Sequence, residues 1–445
     1  MKFVALIVLV IAAAGIGVFL FTIPKDVAIG PQVGPQSAAA SPALPAIPEA
    51  PAPASSSAAR AAPTTIAASH DIGPQPKLAD PPAVVKGIYL TGWSAGSASK
   101  VQAVINLIKS TELNAVVIDI KDYSGYVSYA MDVPDAKASG AENEIRIARP
   151  NTLIKELHDN GIYVIGRITN FQDPILAKAH PEWALHDKTT GAVWKDNSGL
   201  SWMDPAAKPV WDYLGAITKD AFGRGFDEVQ FDYVRFASDG AIGNISYPYW
   251  DGKSSRASVI GSYFKFLRET FPNEKISADL FGLATVNSDD LGIGQIIQDA
   301  YKYFDYVSPM VYPSHYATGF LGYKNPASYP YRVIDYSLTH AITKLTAMGN
   351  TNSTVPAAGG AGSSTASTTR PANSPFNLGY VPNSKLRPWL QDFNLNGVPY
   401  TAAMVRQEKQ AVYDTLATAD TSGYYGGWLM WNAANIYTAG ALDPQ

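Results

Sequence analysis

From residue 84 onward, apolar residues recur with two alternating periods. Short runs with every second residue apolar predict strands over 86–92, 115–122, 163–170, 228–236, 275–282, 306–313, 386–393 and 426–432. Between them, apolar positions spaced three and four apart predict helices over 99–111, 150–160, 206–223, 254–270, 290–304, 331–348 and 402–419. Strands separated by crossover helices build a parallel sheet, and eight such units close most economically into a (β/α)8 TIM barrel. A doubly wound open sheet is the competing fold. It lacks support, because no Gly-rich phosphate turn follows the first strand. A helix after residue 432 is absent or very short.

Alternation also says where the charges point, since successive strand residues face the barrel interior and the surrounding helices in turn. Val229, Phe231 and Tyr233 are the helix-facing set of the fourth strand, which turns Gln230 and Asp232 inward. Ile276, Ala278 and Leu280 leave Ser277 and Asp279 inward on the fifth. On the second, Val116, Ile118 and Ile120 face out, so Asp119 and Lys121 face in. On the third, Arg167 shares its face with Ile165 and Thr169. Three carboxylates and an arginine are thereby expected near the carboxyl ends of the strands, where active sites of this fold lie. Buried carboxylates need a partner or a purpose. One explanation is an Arg167–Asp ion-pair network that only fixes the barrel mouth. The other is a pair of acids flanking a glycosidic bond, one as nucleophile or base and one as proton donor. Asp392 on the seventh strand is a weaker candidate: if Trp389 and Gln391 point inward, it does not.

Sugar rings pack on aromatic faces while their hydroxyls need polar partners. Candidates for such contacts are Trp93, Tyr123, Tyr126, Tyr312, His315, Trp428 and Trp431, with Trp183, Trp194 and Trp202 on the long 171–203 loop as a wall or lid.

The N-terminal 83 residues have another character. Residues 3–22 carry no charge and are long enough to cross a bilayer, which favours an uncleaved transmembrane anchor over a cleaved signal peptide. Lys2 weakly favours an N-terminus in the cytoplasm, with the rest of the chain outside. Residues 24–83 are rich in Pro, Ala and Ser and read as a disordered tether holding the barrel (84–445) away from the membrane. A similar low-complexity stretch at 349–375 reads as an insertion within the barrel.

Composition narrows the chemistry. A net charge of −4 argues against a nucleic-acid partner, and the absence of cysteine excludes disulfides, thiolate metal sites and thiol nucleophiles. Six histidines without close helical pairing supply no metal site, and no cofactor motif occurs. No serine sits in a GxSxG elbow.

The segments GFDEVQFDYVRF (225–236), NAVVIDIKDYSG (114–125), VIGRITNFQDP (164–174) and VSPMVYPSHY (307–316) resemble the glycoside hydrolase-like domain family first catalogued as domain of unknown function 4015. LRPWLQDF (386–393) and GGWLMWN (426–432) fit the same pattern. The resemblance implies a TIM barrel distantly similar to α-amylase-type hydrolases. It implies Asp232 as nucleophile, Asp279 at the position of the acid/base (there a Glu) and Asp392 at that of an assisting Asp. Position 230, an Arg in the amylase pattern, is Gln; Arg235 is assigned to the opposite strand face. The resulting expectation is an anchored, extracytoplasmic glycosidase acting on a cell-surface or extracellular polysaccharide by a retaining two-carboxylate mechanism. Asp119, Arg167, Trp93, Tyr312, His315, Asp392 and Trp431 would contact substrate. A tethered glycan-binding barrel without catalysis is the alternative, and a polysaccharide deacetylase a third reading.

Overall fold

The computed structural model describes residues 71–350, 383–395 and 397–445, together with 6–7, 10–11, 16–17 and 20–21. Eight parallel strands form a closed ring: β1 (Val85–Leu90), β2 (Ala115–Lys121), β3 (Tyr163–Thr169), β4 (Glu228–Asp232), β5 (Lys275–Phe281), β6 (Tyr306–Met310), β7 (Trp389–Gln391) and β8 (Gly427–Trp431). They pair in sequence order, and β8 pairs back onto β1. A short piece, Lys385–Leu386, precedes β7 and also pairs with β6. Pro388 lies between the two pieces and has no N–H to donate to the ladder.

Among the described residues, seven crossover helices cover the barrel, short helices within the loops aside: α1 (Ala98–Lys109), α2 (Pro150–Asp159), α3 (Lys208–Arg224), α4 (Arg256–Thr270), α5 (Ile297–Tyr301), α6 (Pro330–Asn350) and α7 (Ala402–Leu416). Their buried stripes follow the expected spacing, as with Val101, Val104, Ile105 and Ile108 on α1. Helix α3 opens with Pro209 in its first turn and stops at Gly225, whose left-handed backbone favours glycine. After β8 the described chain makes only a short turn, Ala439–Ala441, in place of an eighth helix.

The two faces of the strands separate as alternation predicts. Ile88, Val116, Ile118, Val164, Val229, Phe231, Ile276, Ala278 and Leu280 pack under the helices. Val85, Tyr89, Ala115, Val117, Tyr163, Ile165, Trp389 and Leu429 fill the interior. Low in that interior, Arg387 is forked onto both oxygens of Glu228, which also accepts from Ser277 Oγ, and the Tyr306 ring lies 4.2 Å from the guanidinium. Both charges are fully buried, so their pairing is what makes this layer tolerable.

Residues 71–83 fell within the segment read as a tether, yet they are bound to the amino-terminal end of the barrel. Arg149, preceding α2, provides no side-chain cap, and Asp71 takes that role by accepting from the backbone N–H groups of Asn151 and Thr152. Gln75 N–H bonds the Arg224 carbonyl, Leu78 N–H bonds Asp227, and the Leu78 side chain packs against the interior cluster. Composition alone does not reveal such pairing, because it depends on partners distant in sequence.

Most of the apolar segment 3–22, the tether ahead of residue 71 and the insertion from 351 onward lie outside the described residues. What is described there is Leu6–Ile7 pairing antiparallel with Leu20–Phe21, and Val10–Ile11 with Ile16–Gly17. Among the described residues no helix is long and apolar enough to cross a membrane.

Candidate active site

The carboxyl ends of β2–β5 bring four charged side chains together. Arg167 on β3 is their hub: Nη1 donates to Asp119 Oδ1 at 2.7 Å, while Nε and Nη2 donate to Asp232 Oδ2 at 3.1 and 2.6 Å. Tyr89 Oη donates to the other oxygen of Asp119, and Tyr233 N–H to Asp232 Oδ1. Asp232 is therefore a carboxylate held on both sides. Asp279 is built differently. Trp389 Nε1 donates to its Oδ1 at 2.7 Å, and its Oδ2 is buried with no hydrogen-bond partner among the described residues. Parallel register sets Ser277 beside Gln230 and Ala278 beside Phe231, so one step on Asp279 stands level with Asp232 on the adjacent strand.

The electrostatics follow from this arrangement. Burial, and then the negative charge of Asp232, push the Asp279 carboxyl well above the usual carboxylate range. Burial also raises Asp119, to about 6, against the pull of Arg167. Tyr312 is pushed up by burial and by the two carboxylates it faces, Asp279 and Asp232. Burial lowers His315 to about 4, so at neutral pH its ring is uncharged.

Aromatic groups wall the acids on the β8 and β1 side. Trp431 stacks on Tyr89 (centroids 3.9 Å apart, planes at 16°), meets Trp389 edge-on at 5.6 Å and lies 5.2 Å from the Arg167 guanidinium. Tyr312 and His315 meet edge-on at 5.1 Å, and each also contacts Phe393. Only small parts of the acids reach solvent, 5% of Asp232 and 1% of Asp279.

Several sequence-predicted residues lie elsewhere. Asp392 is turned away from the acids: Trp389 and Gln391 take the inward positions, and Asp392 accepts from Thr438 N–H and Oγ1, tying down the C-terminal segment. Trp428 faces the helices and donates to Tyr413 Oη on α7, since it stands three positions, an odd step, before inward-facing Trp431. Lys121 leaves the cluster because the β2–β3 register shifts between Asp119 and Lys121; the lysine pairs with Asp173 at 2.9 Å. Trp194 and Trp202 are buried packing residues of the 171–203 loop, and Trp183 stacks on His180 at 3.8 Å. Trp93 is 59% exposed, with Arg146 5.4 Å from its ring, and is not among the groups touching the acids. Tyr89 and the donor role of Trp389 escaped the sequence reading, although both residues carry the inward parity of their strands.

Tyr233 has φ of 54° immediately after Asp232. A bulky residue in the left-handed region is uncommon and tends to mark functional sites. It ends β4 and breaks the alternation on which residues 234–236 had been placed. Among the described residues, no group of three or more His, Asp or Glu is arranged to hold a metal ion.

Comparison with known proteins adds a family. The one described as "Putative glycosyl hydrolase domain" matches residues 87–357, more than half of the chain. No curated protein matches. A hypothetical protein of Ruminiclostridium thermocellum is 37% identical over 46% of this chain and 98% of its own, with a TM-score of 0.40. The chitobiase of Flavobacterium johnsoniae aligns at 10% identity over 81% of this chain and 47% of its own (TM-score 0.48). An α-galactosidase of Thermus thermophilus, solved with stachyose, aligns at 12% over 83% and 65% (TM-score 0.42). The chain thus spans less than half of the chitobiase and just under two thirds of the α-galactosidase.

Proposed function

We propose, from the premise that this chain belongs to the putative glycosyl hydrolase domain family and is a glycosidase, that it cleaves a cell-surface or extracellular polysaccharide by a retaining mechanism, with Asp232 as nucleophile and Asp279 as acid/base. The observation that carries this reading is the contrast between two level, adjacent carboxyls. Asp232 is ion-paired with Arg167, whereas Asp279 is buried, forms no ion pair among the described residues and is pushed toward its protonated form. Environments that drive two acids apart mark a division of roles between base and acid.

In the first step an Asp232 oxygen bonds to the anomeric carbon. The bond to the leaving oxygen breaks, and that oxygen takes the Asp279 proton. In the second step Asp279, now a carboxylate, takes a proton from water as the water oxygen attacks the anomeric carbon and releases Asp232. Adjacent strands lie about 4.8 Å apart, a spacing that suits the roughly 5–5.5 Å separation of retaining carboxyls better than the wider inverting gap. Arg167 and Asp119 hold the nucleophile, while Trp431, Tyr312 and His315 supply the sugar contacts.

The N-terminal apolar segment would anchor the barrel outside the cytoplasm. The alternative, a tethered glycan-binding barrel, draws support from the Asp at 279, one methylene shorter than Glu, and from the slight exposure of both acids. Incubating the purified chain with mixed polysaccharides decides between them. Mass spectrometry should find shortened products, and NMR of the first-formed anomer should match the substrate. Binding without any product would leave the non-catalytic reading standing.

A further inference from the structure

Arg235 is a buried cation that the reaction above does not use. Strict alternation placed it on the far face of β4, but the left-handed Tyr233 redirects the chain. The guanidinium consequently sits among three rings, 4.7 Å from Trp202, 5.2 Å from Tyr233 and 4.8 Å from Phe281. Phe281 follows Asp279 by two residues at the end of β5, and Tyr233 directly follows Asp232 at the end of β4, so two of these rings are chain neighbours of the two acids. Arg235 is only 8% exposed, yet no carboxylate forms an ion pair with it among the described residues. Nη1 donates to the Phe236 carbonyl (3.1 Å) and Ser238 Oγ (3.0 Å); Nε and Nη2 have no protein acceptor among the described residues.

The nearby acids do not fill that role. Asp196 gives its carboxylate to Trp202 Nε1, Gln172 Nε2 and the N–H groups of Ser198 and Leu200. Asp239 is within electrostatic range but makes no ion pair with Arg235, and its carboxyl is pushed up by burial and by Asp196. Asp232 is held by Arg167. The two arginines therefore contrast. Arg167 is compensated by two carboxylates, while Arg235, pulled down by burial, has no ion-paired carboxylate among the described residues and an edge of its fork without a protein acceptor there. A guanidinium cannot shed its proton as a lysine can, and its planar edge suits two oxygens of one anionic group.

We propose that Arg235 receives an anionic substituent of the sugar bound at Asp232 and Asp279, so that the substrate is an acidic glycan. The shared chemistry is an oxyanion with two or more equivalent oxygens, either a uronate carboxylate or a sulfate or phosphate ester. The proposal rests on reading the acid pair as a glycan site, but its test does not depend on turnover. Affinity electrophoresis of the full chain through gels containing dextran, dextran sulfate, phosphorylated dextran or a polyuronate separates the possibilities. Retention by the sulfated or phosphorylated gel points to the ester, and retention by the polyuronate to the carboxylate. In either case retention should weaken with salt, fall at least tenfold in Arg235→Gln and fall less in Arg235→Lys, which keeps the charge and loses the fork. No acidic polymer retained above neutral dextran, or equal retention by a folded Arg235→Gln, overturns it. If Arg235→Gln does not fold, Arg235→Lys and the salt dependence of the unaltered chain still decide. Hydrolysis of neutral glycans in preference to acidic ones would sink this proposal and leave the catalytic reading intact. Acidic-glycan retention without products would do the reverse.

Discussion

Replacing Asp232 by Asn separates the chemistry from the scaffold, because the side chain keeps its volume and loses only its charge. In the native site Oδ2 serves Arg167 and Oδ1 serves Tyr233 N–H. An amide offers one acceptor to those two clients, so one hydrogen bond to a charged or strained partner is lost, about 1.5–3 kcal/mol. The larger cost of an orphaned buried charge, roughly 3–5 kcal/mol, is avoided because Arg167 keeps Asp119 at 2.7 Å. Against a total stability of about 5–15 kcal/mol the variant should fold. Catalysis has no such reserve. Without an anionic nucleophile the covalent route closes, and kcat should fall by at least ~10³, about 4 kcal/mol of lost transition-state stabilisation. A second readout tests the electrostatics: with its negative neighbour gone, Asp279 should release its proton at lower pH, visible in the infrared carboxyl band. A folded Asp232→Asn with unaltered kcat would remove Asp232 from the mechanism. An unmoved carboxyl band would show that the two acids do not communicate.

Trp389→Phe keeps an aromatic ring, though a smaller one, and deletes the donor to Asp279 Oδ1, a bond that favours the ionised form; the basic limb of kcat/KM should therefore move to higher pH, and an unmoved limb rejects Trp389 as a positioning residue. Arg387→Met strands Glu228 in the lower interior and should cost about 3–5 kcal/mol in urea unfolding, most of it recovered when Glu228→Gln is added; an additive double variant would contradict the pairing. For Asp119 the folded value of about 6 lies above the ordinary 3.8, so its contribution to stability is greatest below about pH 4 and is lost as pH rises toward 6. Asp119→Asn should flatten that part of the Tm-against-pH curve, where the slope integrates to at most about 3 kcal/mol.

The fold was legible because its information is local and repeated. Eight alternating runs separated by helical spacing leave few arrangements other than a parallel ring, and each strand supplies its own inward face. Residues 71–83 were not legible for the opposite reason. Their Pro-rich composition matches a tether, while their order comes from Asp71 capping a helix that begins 79 residues later, at Pro150, and from Leu78 packing against the barrel interior. That the described residues after β8 form only a short turn was readable as an absence of period, whereas the role of Asp392 in holding that segment depends on Thr438.

At the site, alternation worked up to the first residue that breaks it and no further. Asp119, Arg167, Asp232 and Asp279 precede any break, and the structure brings them together. Lys121 follows the register shift in β2 and Arg235 follows the left-handed Tyr233; both had been given faces they do not occupy. These breaks lie at the carboxyl ends of strands, where the barrel gives way to the loops that do its chemistry. Regular structure needs no strain, so a tyrosine kept at positive φ beside Asp232 has to be over-determined by its surroundings. Here that means the bond from its N–H to Asp232 and the guanidinium against its ring. The irregularity that hid Arg235 from the sequence is thus what aims Asp232 and sets the arginine beyond it. On that argument Tyr233→Gly, which accepts the same backbone and keeps the N–H, should spare the hold on Asp232 and disturb Arg235, whose ring contact it removes. Weakened acidic-glycan retention with kcat largely kept checks it, and loss of kcat instead refutes it.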